Sequence, residues 1–116
     1  MKKSIAIQMD NIETIDYEFD TSFLIGYEAQ ERDYDIFYYN PKDLFIKENT
    51  IQASGYYLEL LLDEKNYFNF KSNKIIAKLE DFKFVFLRQD PPFDMNYITS
   101  TYILDLLPSS TIVVND

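Results

Sequence analysis

The residues best suited to chemistry stand together at Arg88, Asp90 and Asp94, set around the double proline Pro91-Pro92. Arg88 follows the apolar run Phe82-Lys83-Phe84-Val85-Phe86-Leu87, which reads as a buried strand. A guanidinium at a strand end stays charged at any working pH and can hold a carboxylate through two parallel hydrogen bonds. The same group can instead brace the turn through a salt bridge to Asp90 or Asp94. Pro91 and Pro92 fix two φ angles and push Asp90 toward extended backbone, so the loop is held in shape; either X-Pro bond can be cis. Asp94 precedes the helical pattern that begins near Met95, where a carboxylate caps free N–H groups and complements the helix dipole. Capping and ligand contact are compatible roles.

A second group lies near the start of the chain. Asp10 ends the apolar run of Ile5, Ala6, Ile7 and Met9, and Asp20-Thr21-Ser22 offers three N-caps to a helix reaching about Arg32. Helix N-termini also bind anions through their free N–H groups, so capping and anion binding both remain open for Thr21 and Ser22. In a doubly wound sheet these residues share an edge with Arg88, the carboxyl edge at which open α/β sheets hold ligands. Tyr38-Tyr39 and the Phe/Tyr-rich stretch 56–70 suit a core and a hairpin face better than an aromatic cage.

The elements that must position these groups follow from the patterning. The strand at 5–9, the helix to about Arg32 and the strand Asp35-Ile36-Phe37-Tyr38-Tyr39 form a βα unit of a parallel sheet. Gly26 costs that helix about 1 kcal/mol against Ala, so either tertiary packing holds the helix or something lies close against it. Asn40-Pro41-Lys42-Asp43 reads as a turn. The β-prone stretches 50–62 and 67–78, joined by Asp63-Glu64-Lys65-Asn66, suggest an antiparallel hairpin or meander, although Tyr57 to Leu62 also suits a helical turn. After the strand at 82–87 come a helix from about Met95 to Leu107, ended by Pro108, and a last strand Thr111-Ile112-Val113-Val114. The expected fold is α/β and Rossmann-like: a mainly parallel sheet flanked by helices, with an antiparallel excursion around 50–78. Its strand ends at 5–9 and 82–87 lie side by side and bring Asp10 and Arg88 to one edge.

Composition narrows the function. A chain of 116 residues, 47% apolar, is one domain with one core. With 20 acidic residues against 11 basic ones the net charge is -9, which argues against nucleic-acid binding while leaving room for a local anion site. The chain has no Cys and no His, hence no thiolate, no imidazole base and no common transition-metal ligand. Only Gly26 and Gly55 are present, so there is no Gly-rich phosphate loop, and no carboxylate spacing suggests a metal site. No catalytic residue and no metal ligand is assigned. The opening residues break at Gln8 and Asp10 too early for a signal peptide, and no run nears the ~20 apolar residues that span a bilayer. A cytoplasmic protein with no membrane partner is the expectation.

The same residues carry a family resemblance. IAIQMDNIETI at 5–15, DTSFLIGYEAQERDYDIFYYNPKDL at 20–44, LRQDPPFDMNYITSTYILDLLP at 87–108 and VVND at 113–116 cover about half the chain. Together they resemble the N-terminal domain of bacterial glutathione synthetase, an ATP-grasp ligase. Asp33-Tyr34 departs from a usual Gly-His pair, which Asp tolerates because it enters the αL region, and Gly26-Tyr27 replaces other residues. The resemblance implies a pre-ATP-grasp domain spanning 1–116, with the ATP-grasp domains absent. It implies ligation of glycine to γ-glutamylcysteine through an acyl phosphate made with ATP and Mg²⁺, both held by those absent domains. By resemblance, Arg88 and Asp90 face the substrate, Asp10, Thr21 and Ser22 lie nearby, and Pro91, Pro92, Asp94 and Tyr97 support the loop. The chain is then expected to be an excised domain or a truncated product, inactive alone toward ATP, and family members self-associate into homo-oligomers. The competing expectation is a free-standing α/β module that binds an anionic metabolite or a partner protein at the same edge.

Overall fold

The computed structural model describes residues 3–14, 21–88 and 95–115, apart from the side chains of Thr21, Asn96 and Asn115. The expectations for Asp20, Asp90, Pro91, Pro92 and Asp94 therefore lie outside the described residues. The chain forms β1 (Ser4–Gln8), a 3-10 turn (Ile12–Thr14), α1 (Thr21–Glu31), β2 (Asp35–Lys47), β3 (Thr50–Leu60), β4 (Phe68–Phe70) and β5 (Ile75–Lys78). A second 3-10 turn (Leu79–Asp81), β6 (Phe84–Leu87), α2 (Met95–Leu104) and β7 (Ile112–Asn115) complete it.

Among the described residues, seven strands join one sheet in the order β4-β3-β2-β1-β6-β7, with β5 also on β3. β1 pairs in parallel with β2 and with β6, and β6 pairs in parallel with β7. β3 runs antiparallel to β2, β4 and β5, which is the expected excursion. From β1 the chain steps one way to β2 and later the other way to β6 and β7. Right-handed crossovers then force α1 and α2 onto opposite faces. The core divides accordingly. Ile5, Ile7, Ile36 and Tyr38 pack with Phe23 of α1, while Ala6, Phe37, Val85 and Leu87 pack with Leu104 of α2. Strands buried on both faces explain why β1 and β6 read as continuous apolar runs instead of alternating ones.

Both glycines sit at close approaches. A Cβ on Gly26 would come 2.7 Å from Leu60 Cδ1 and 3.2 Å from Ile7 Cδ1, so α1 lies tight on the sheet, as the cost of a helical glycine suggested. A Cβ on Gly55 would collide with the Tyr38 carbonyl oxygen. Asp33 takes φ 66°, the αL conformation expected of it, and ends α1 with Tyr34 N–H donating to the Ala29 carbonyl at 3.0 Å.

Three local readings change. The turn expected at Asn40-Pro41-Lys42-Asp43 is a bulge inside β2: pairing steps from Tyr39–Gly55 to Leu44–Ala53, so β2 carries more residues than its partner. Pro41 cannot donate to a ladder, and Asn40 Oδ1 accepts the Lys42 N–H at 3.2 Å, an Asx turn that serves a bulge as well as a reversal. The true reversal is at Glu48-Asn49, both with positive φ (55° and 60°), the backbone of a tight hairpin turn. Tyr57 to Leu60 is strand, because Leu58, Glu59 and Leu60 pair with Phe70, Asn69 and Phe68. Finally α2 stops at Leu104; Leu106 and Leu107 continue as a tighter turn onto the Ile103 and Leu104 carbonyls before Pro108.

Candidate functional site

The last parallel pair of β1 and β6 is Gln8 with Leu87, and one residue further the Arg88 N–H donates to the Gln8 carbonyl at 2.8 Å. Asp10 and Arg88 thus leave neighbouring strands at the same carboxyl edge. This is also where strand order reverses, the crevice in which open α/β sheets bind ligands. Arg88 is half-buried at the strand end and Asp10 is exposed.

Two tyrosines shape the turn that carries Asp10. The Ile12 N–H donates to the Tyr38 hydroxyl at 3.2 Å, and that hydroxyl donates to the Asp10 carbonyl at 3.4 Å. The Tyr67 hydroxyl donates to the Ile12 carbonyl at 2.6 Å. Burial pushes the Tyr38 phenol up, against the lowering effect of the Ile12 N–H, and the charges of Glu13, Asp43 and Asp10 raise it further. Tyr38 therefore stays neutral and keeps its proton to donate. The core and hairpin roles expected for these aromatics hold, and their hydroxyls add an anchoring role that apolar patterning could not reveal.

The remaining candidates are placed as follows. Thr21 opens α1 beside this edge, and Ser22 follows it at 3% exposure, so its side chain is enclosed by protein. Tyr97 lies in the first turn of α2, half-buried, its carbonyl accepting the Ser100 hydroxyl at 2.6 Å. A polar cleft of about 190 Å³ opens next to the edge, between Asn11, Lys42, Asp43, Ser54 and Lys74; a 3.7 Å ion pair joins Lys74 to Asp43. It touches neither Asp10 nor Arg88. An apolar groove of about 440 Å³ runs along α1, lined by Leu24, Ala29, Tyr34, Phe84 and Phe86, with the Glu28–Arg32 ion pair (3.0 Å) among its lining residues. Of the three, only the Asp10–Arg88 edge lies where the strand order reverses.

Two polar residues were missed by the sequence reading. Gln8 Nε2 donates to Ser100 Oγ at 2.7 Å, and both residues are 1% exposed. A glutamine within the otherwise apolar Ile5-Ala6-Ile7-Gln8-Met9 was the available signal, since a polar group at a buried strand position requires a partner.

Among the described residues, this edge brings together the Arg88 guanidinium, the Asp10 carboxylate and the start of α1. Among the described residues no group of His, Cys, Asp or Glu could hold a metal ion, and no helix is long and apolar enough to cross a membrane.

The family model for the prokaryotic glutathione synthetase N-terminal domain matches residues 3–116. The glutathione synthetase of Mesorhizobium japonicum is 42% identical over 116 residues, covering 100% of this chain and 37% of that protein. That of Agrobacterium fabrum is 40% identical over 114 residues, covering 98% and 35%. The Vibrio cholerae glutathione synthetase is 36% identical over 110 residues, covering 95% and 34%. The chain thus spans about a third of the length of the curated relatives it matches.

Proposed function

Because this chain belongs to the family of prokaryotic glutathione synthetase N-terminal domains, we propose that it forms the substrate-side wall of a ligase joining glycine to γ-glutamylcysteine. In that reaction ATP is hydrolysed to ADP and phosphate by way of an acyl phosphate on the cysteinyl carboxylate, which the glycine amine attacks. Residues 1–116 are one domain of a longer cytoplasmic protein, and by themselves do not turn over substrate. The observation that supports this most directly is the convergence of Asp10 and Arg88 at the switch-point edge.

Among the described residues no cluster of three or more His, Cys, Asp or Glu could hold a metal ion, and the sequence, with two glycines, has no Gly-rich phosphate loop. By the family resemblance, ATP and Mg²⁺ are held by the part of the relatives' length that this chain does not span. What this chain supplies is binding and orientation. Arg88 pairs with a carboxylate of the dipeptide and Asp10 complements its ammonium group; Asp90, outside the described residues, is assigned to the same molecule by the family resemblance alone. The N–H groups of α1 at Thr21 and Ser22 add weak positive potential. Tyr97 stands in the first turn of α2, and the supporting role of Pro91, Pro92 and Asp94, outside the described residues, rests on the family resemblance alone.

In the longer ligase, Arg88→Ala tests the reading. Loss of a charge-assisted hydrogen bond costs about 1.5–3 kcal/mol, so the KM for γ-glutamylcysteine should rise roughly ten- to a hundredfold while the KM for ATP stays within about twofold. A lowered melting temperature with an unchanged dipeptide KM would show that Arg88 is scaffold, and would sink the ligand role.

A further inference from the structure

Gln8 makes two bonds that reach different elements. Its carbonyl accepts the Arg88 N–H at 2.8 Å, closing the β1–β6 ladder at its last rung. Its side-chain Nε2 donates to Ser100 Oγ at 2.7 Å, and Ser100 Oγ donates to the Tyr97 carbonyl at 2.6 Å. The relay therefore runs from β1 into the first turns of α2. Both side chains are almost wholly enclosed, and the Gln8 Oε1 has no hydrogen-bond partner. A stranded buried acceptor is a cost that Met or Leu in the same space would avoid. Packing alone does not account for an amide here; the tie does.

We propose that Gln8 is a positioning residue for the substrate edge, holding Arg88 through its backbone and α2 through its side chain, so that both keep one geometry. The proposal rests on the reading of Arg88 as a ligand of the dipeptide carboxylate. Gln8 itself touches no substrate. It acts through Arg88, as Ser100 acts through Gln8.

The variants are Gln8→Met, Ser100→Ala, their double mutant, and Ser100→Thr, which keeps the hydroxyl. In the longer ligase, Gln8→Met and Ser100→Ala should each raise the KM for γ-glutamylcysteine about fivefold, the equivalent of one neutral hydrogen bond, with kcat and the ATP KM within about twofold. The double mutant should be no worse than Gln8→Met, because the two side chains act as one unit, and Ser100→Thr should restore the wild-type value. In the 116-residue chain, amide hydrogen exchange should quicken at Arg88 and through the first turns of α2, since the end of β1 is no longer held from the helix side. The Tyr38–Tyr56 pairing should keep its protection. Parallel KM increases for both substrates, additive effects in the double mutant, or unchanged exchange at Arg88 would each overturn the proposal. Should the wild-type ligase form no glutathione, the functional reading falls and the exchange result alone decides for or against the tie.

Discussion

Replacing Gly26 by Ala sets two opposed effects against each other at one atom. In an exposed helix the change stabilises by about 1 kcal/mol, because Ala orders less backbone entropy than Gly. Here the new methyl would lie 2.7 Å from Leu60 Cδ1, 3.2 Å from Ile7 Cδ1 and 3.8 Å from Ile36 Cγ2. Leu60 and Ile7 are both 3% exposed and belong to one packed cluster, so neither side chain has open space to enter. Overpacking of this kind costs about 1–3 kcal/mol. The cost exceeds the gain, and Gly26→Ala should destabilise the chain by about 1 kcal/mol, lowering the melting temperature by roughly 4 °C. The informative measurement is the same substitution in a Leu60→Val background, which removes the offending Cδ1. There the sign should reverse to a stabilisation of about 0.5 kcal/mol, the propensity gain less residual crowding at Ile7. Thermal and urea denaturation followed by circular dichroism on the four proteins of the cycle would read both numbers. If Gly26→Ala raises the melting temperature in the wild-type background, or lowers it equally in both, the close approach of α1 to β3 is not what limits this site.

Tyr38→Phe leaves the buried Ile12 N–H without its acceptor and frees the Asp10 turn, and should cost about 1–2 kcal/mol in urea denaturation. Unchanged stability would mean that the hydroxyl does not anchor that turn. The pH dependence should be steep on the alkaline side. Burial raises the Tyr39 phenol far above the ordinary 10.0, and burial also leads the rise at Tyr38 and Tyr57, where nearby carboxylates add to it. The unfolded chain ionises these phenols above about pH 10 while the folded chain keeps them neutral, so stability is complete below that pH and falls as pH rises through it. Tyr39→Phe should flatten the fall measured between about pH 9 and 11.5; an identical slope in the mutant would remove Tyr39 as its source.

The order of elements was legible in the chain because apolar runs bounded by polar turns announce buried strands, and the handedness of crossovers leaves few ways to assemble them. The adjacency of Asp10 and Arg88 was expected from a doubly wound strand order, and the β1–β6 pairing provides it. Asp33 in αL and the tight seat of Gly26 were legible too, since each is a residue whose backbone preference is out of place in a regular element. Where two structures demand the same residues, the sequence could not choose. Asn40-Pro41-Lys42-Asp43 suits a turn and a bulge alike, and only the pairing of Leu44 with Ala53 beyond it made it a bulge. Tyr57 to Leu60 became strand because β2 on one side and β4 on the other offered it ladder partners, a gain no local propensity contains. Gln8 and Ser100 lie 92 positions apart and meet in the core. The pattern of a strand specifies which face a side chain takes, whereas the partner waiting there is set by how two helices pack on opposite sides of one sheet.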